Sequence, residues 1–204
     1  MCVMFTREAI RALEHPGIAD QNMCFPTAIA WALRLSGESY SPAEVDKISG
    51  RVPGQGVNPL EQLRVTGWLI GKGYKVEEVF DSHIDPKLPV RPSPELDAAM
   101  AEYDRLVCDT PTFSWDKYTV TDTRLPRRKF RQALKSGAVV VFAVVGQPVH
   151  SAVAAGHFTG DTTSWFDPAK TRVTLRCIDD VVDQFIAQHE RSGWPALILH
   201  PPKR

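Results

Sequence analysis

The sequence predicts an α+β fold, and three observations predict it. Apolar residues recur at helical spacing through the first half, residues 138–145 form one continuous apolar, largely β-branched run, and short strand-like segments follow that run. Helices are expected to dominate the early chain and strands the late chain.

Residues 6–15 have the length and pattern of a short helix, which His15, Pro16 and Gly17 end. From Cys24, the positions Phe25, Ala28, Ile29, Ala32 and Leu33 share one helix face until Ser36 and Gly37 close it. Ser41, Pro42 and Glu44 supply an N-cap, a first-turn proline and an acid three residues on, so a second helix runs to about Ser49. Gly54, Gln55 and Gly56 form a loop. Asn58, Pro59 and Glu61 then open a third helix that reaches Gly71. Residues 74–80 read as a strand. Four prolines within residues 81–97 predict a loop or crossing segment. Residues 96–107 look helical, residues 108–122 irregular, and residues 126–134 form a basic helix. The run 138–145 suits a strand covered on both faces. Residues 150–155, 163–167 and 172–175 read as further strands, 179–189 as a helix, and 196–200 as a last strand.

The 204 residues fit one domain with one core. Lysine plus arginine equals aspartate plus glutamate at 24 each, which argues against nucleic acid or an anionic membrane as partner. Even the basic segment 124–135 reads as a solvated helix face. No stretch approaches the roughly 18 apolar residues a membrane span needs, and the first residues lack a secretory layout. A cytoplasmic location is expected, with non-classical delivery as an effector left open. Cys2, Cys24, Cys108 and Cys177 lie far apart with no CxxC pair, so reduced thiols are expected and no metal site.

Cys24 stands where helical periodicity begins, and a helix start favours a thiolate over the ordinary thiol of pKa about 8.5. Taken alone it reads more readily as a small buried hydrophobe. His150 and Asp167 change the balance. A hairpin with its midpoint between Phe158 and Thr159 would set Asp167 across from His150, where a carboxylate can orient the imidazole. His157 is the rival base, favoured if the turn falls at Asp161 and Thr162. The oxyanion that forms on attack needs preorganised donors. The Cys24 N–H is one. Gln21 is a provisional second, equally readable as part of the turn, while Asn22 reads better as a helix cap.

Gln21 to Leu33, with Cys24 inside it, resembles the nucleophile block of papain-like cysteine peptidases, closest to bacterial C39-like members. His150 to Gly156 and Trp165 to Pro168 are similar to that family's histidine and Asp-Pro strands. The resemblance covers roughly a fifth of the chain. It implies one papain-like domain over residues 1–204: a helical lobe (about 1–80) carrying Cys24, a variable crossing (81–125), and an antiparallel sheet lobe (126–204) carrying His150 and Asp167. It further implies a Cys-His-Asp triad, an acyl-enzyme, a protein or peptide substrate and no cofactor. The chain departs from the family in placing Gln21 only three residues before Cys24, and Phe25 where glycine is frequent. Three alternatives stay open: a deamidating toxin or effector of this fold, an OTU-like deubiquitinase using His157, and a non-catalytic peptide-binding module.

Overall fold

The computed structural model describes residues 21–80, 118–122, 126–144, 150–168, 173–184 and 196–202. The helices expected at 6–15 and 96–107 and the proline-rich crossing lie outside them.

Three helices come first. A 3-10 turn, Gln21–Met23, leads into α1 (Cys24–Leu35). Pro26 is tolerated in its first turn, where the missing N–H costs no helical bond. Ten of its twelve residues are buried, so α1 is a core helix. The helices α2 (Pro42–Ser49) and α3 (Pro59–Gly71) each start with a complete capping box, Ser41 with Glu44 and Asn58 with Glu61, as the sequence predicted.

Seven strands form one sheet in the order β2-β1-β7-β3-β4-β5-β6. They are β1 (Lys75–Phe80), β2 (Tyr118–Asp122), β3 (Val139–Val144), β4 (His150–Thr159), β5 (Thr162–Phe166), β6 (Thr174–Cys177) and β7 (Ala196–His200). All neighbours are antiparallel except β1 and β2, which run parallel. The fold is therefore α+β with a mostly antiparallel sheet.

Two further helices, α4 (Pro126–Lys135) and α5 (residues 178–184), complete the described elements. The sheet is covered on both faces, and the strand alternation shows it. Val139, Val141, Leu197, Leu199 and Phe166 pack with α1. Val140, Phe142, Ile198 and Trp165 pack instead with Phe130 and Leu134 of α4 and with Val181 and Val182 of α5. A continuous apolar run follows from two covered faces.

Two expectations are corrected. Residues 118–122, expected to be irregular, form β2 on the parallel edge. The loop expected at 156–161 is mostly strand, because β4 continues through Gly156 to Thr159 and turns at Gly160 and Asp161. A Cβ on Gly156 would lie 3.1 Å from the Gly137 Cα, so glycine there reflects close backbone approach rather than a loop.

Candidate active site

Cys24 is the first residue of α1, and its thiol is free and partly exposed. The preceding residue, Met23, is the N-cap and supplies no side-chain cap. This corrects the cap expected from Asn22. Its amide instead donates to the Gly54 carbonyl at 3.0 Å and ties the turn before Cys24 to the loop between α2 and α3. That loop has its own clamp. Arg51 bonds both carboxylate oxygens of Asp46, at 2.6 and 3.1 Å, and donates to the Gln55 carbonyl at 2.6 Å. Charge assistance makes such paired bonds strong ones.

The direction of α1 across the sheet follows from its far end. Just beyond that end, Glu38 accepts from the Tyr74 hydroxyl at 2.8 Å and pairs with Lys72 at 2.7 Å. Lys72 also donates to the Tyr40 hydroxyl at 2.9 Å and lies over the Tyr40 ring. Tyr74 adjoins the start of β1, so α1 ends where β1 and β3 begin and where β7 finishes. The start of α1 therefore lies towards the other end of the sheet.

Trp31 stacks on Phe166 with centroids 4.9 Å apart, which fixes the height. Cys24 lies seven residues before Trp31, about 10 Å along a helix. Phe166 faces Val153, three residues from His150, again about 10 Å along a strand. Cys24 and position 150 thus stand at similar heights. His157 faces Thr163 near the hairpin turn, towards the end where α1 finishes, so height separates the two candidate bases.

The hairpin register differs from the expected one. Val153 faces Phe166, His157 faces Thr163 and Thr159 faces Thr162, with two bulges between them. Continuing from the first pair, Asp167 comes beside Ala152 rather than His150. Positions 150 and 152 share a face of the pleat, and opposite positions on adjacent strands do too, so 150 and 167 are diagonal neighbours. The same alternation assigns position 150 to the α4 face, because it faces Val144, two residues beyond Phe142. Asp167 is buried at 8% exposure directly after β5. The side chains of Gln21, His150 and His157 lie outside the described ones.

A second cluster was not foreseen. His200 is half-buried, and its Nε2 lies 3.0 Å from Glu77 Oε1, while Lys129 reaches Glu77 Oε2 at 2.8 Å. These bonds, His200 first and then Lys129, pull the Glu77 carboxyl down to about 2 against the opposing push of burial. The basic helix α4 is tied elsewhere too: Arg131 pairs with Asp161 and Asp179, and Lys135 with Asp161. Much of its charge is thus met within the chain rather than by solvent alone. Sequence distance hid these pairs, since Glu77 and His200 are 123 residues apart.

Among the described residues, no group of three or more His, Cys, Asp or Glu is placed to hold a metal, and no helix is long and apolar enough to cross a membrane.

The class that these elements define is an α+β domain with a thiol at the start of a buried helix. No protein-family model matches the chain, and no curated protein matches it. Among solved structures it is similar to the peptidase domain of Streptococcus ComA, a bi-functional ABC transporter involved in a quorum-sensing pathway. Identity is 15% and the TM-score 0.48, over 92% of this chain and 98% of that one. A likeness at that level does not assign an activity, and the functional reading rests on the residues of this chain.

Proposed function

We propose that the chain is a papain-like cysteine hydrolase that cleaves a peptide or isopeptide bond in a protein substrate. The observation that supports this best is Cys24, a free, partly exposed thiol opening an otherwise buried helix. The strand beginning with His150 starts at a similar height. In this reading His150 takes the thiol proton and the sulfur attacks the amide carbonyl. The oxyanion is met by the Cys24 N–H and by the Gln21 side chain. Collapse passes the proton from His150 to the leaving amine and leaves a thioester. Water, deprotonated by His150, then releases the acid and the free thiol. Asp167 holds the imidazole in the productive tautomer. Deamidation and deubiquitination differ only in the leaving amine.

One observation favours a second reading, a non-catalytic peptide-binding module. Regular alternation gives position 150 to the α4 face, whereas α1 packs on the other. The catalytic reading therefore requires the imidazole to come round the sheet end at the first residue of β4.

Iodoacetamide labelling across pH separates the two, with the exposed Cys177 as internal reference. Catalysis predicts that Cys24 labels faster than Cys177 near neutral pH and that His150→Ala abolishes this advantage. Matching pH profiles for Cys24 and Cys177 would sink the hydrolase.

A further inference from the structure

The loop between α2 and α3 has no part in the mechanism above, yet Asn22 joins it to the turn that precedes Cys24. A 3-10 turn rises about 2 Å per residue, so one side chain and one hydrogen bond place Gly54 within roughly 10 Å of Cys24. Residues 52–56 are all exposed and carry no charge, in a chain where 24% of residues are charged. Val52, at 51% exposure, is one of only two large apolar side chains exposed among the described residues. The loop is nevertheless held firmly: Arg51 grips Asp46 and the Gln55 carbonyl, Gln55 N–H donates to the Val52 carbonyl at 3.1 Å, and Asn22 holds Gly54. An exposed, uncharged loop fixed at three points beside a thiol has the character of a recognition surface.

We propose that this loop is the substrate-selecting wall of the Cys24 site, taking an uncharged peptide segment with an apolar side chain against Val52. Asn22 is a positioning residue, acting through Gly54. The assignment rests on the hydrolase reading and names the substrate class that reading leaves open. Charge repels the candidate by desolvation: a carboxylate laid against Val52 loses water and gains no partner.

Two thiol-directed peptidyl acyloxymethyl ketones test it, one with leucine and one with glutamate beside the warhead, with iodoacetamide as a small control. Mass spectrometry of the full chain gives the rate of Cys24 alkylation. The unmodified protein is expected to favour the leucine probe by roughly tenfold, the low end for an apolar contact of this size. Val52→Lys, which gives the glutamate a partner, removes that preference while the iodoacetamide rate stays within about twofold, because an exposed substitution leaves the fold intact. Asn22→Ala weakens the preference in the same direction, and Asn22→Gln restores part of it. A preference that survives Val52→Lys, or none in the unmodified protein, overturns the loop's role and leaves the hydrolase standing. If iodoacetamide labels Cys24 but neither peptidyl probe does, the hydrolase fails and the loop with it.

Discussion

Replacing Glu77 by glutamine keeps the shape of the side chain and removes the charge that His200 and Lys129 meet. Its carboxyl is pulled from an ordinary 4.5 to about 2. At about 1.4 kcal/mol for each pH unit of that depression, the ionised form gains about 3 kcal/mol on folding. The carboxylate is 11% exposed, but Lys129 is 28% and His200 29% exposed, so solvent screens part of this gain. About 1–2 kcal/mol is expected in practice. The sign follows from the direction. A carboxyl depressed by folding stabilises above its unfolded value near 4.5, and that stabilisation is lost as the pH falls towards 2. Urea unfolding followed by tryptophan fluorescence, at half-unit steps from pH 7 to pH 2, gives the free-energy difference between the native protein and Glu77→Gln. It should hold at about 1–2 kcal/mol above pH 5 and shrink towards zero near pH 2. A difference that stayed constant over that range would refute the electrostatic account and make the loss one of packing.

Two positions in the sheet give further tests. Gly156→Ala drives a methyl to within 3.1 Å of the Gly137 backbone, where nothing flexible can give way, and should cost about 1–3 kcal/mol in urea unfolding. A neutral outcome would mean that β4 does not cross Gly137 so closely. Ser164→Ala should go the other way. Its hydroxyl is buried with no hydrogen-bond partner among the described residues, so removing it should be neutral or stabilising by up to about 1 kcal/mol. A loss of 2 kcal/mol or more in the same assay would reveal a partner for that hydroxyl.

The parts of this fold that were legible in sequence are those whose causes are local. Ser41 with Glu44 and Asn58 with Glu61 state helix starts outright, and both capping boxes form. The run 138–145 marked a strand between two layers because both faces needed apolar cover. The illegible parts depend on distant chain. The segment Tyr118–Asp122 has a β-branched middle, Thr119 to Thr121, but its strand exists through β1, roughly forty residues earlier. Gly156 looked like a loop residue because its reason is the Gly137 backbone across the sheet. For the site, Cys24 at a helix start was readable from periodicity. The register between β4 and β5 was not, because two bulges shift the pairing and no composition rule announces them. Asn22 was mistaken for a cap because its true partner, Gly54, lies 32 residues on.

The position of β7 bears on how this molecule comes into being. In sequence it follows every other described strand, yet in space it lies between β1 and β3 and joins the two parts of the sheet. During synthesis, β1 with β2 and the meander from β3 to β6 can assemble as separate pieces, each with a bare edge awaiting the same five residues. Until residues 196–200 arrive, no described strand bridges those pieces by backbone hydrogen bonds, and the layer beneath α1 stays divided. A nascent chain would carry its thiol long before it had a platform for it. Whatever reactivity Cys24 has is thereby withheld until residues 196–200 have been made.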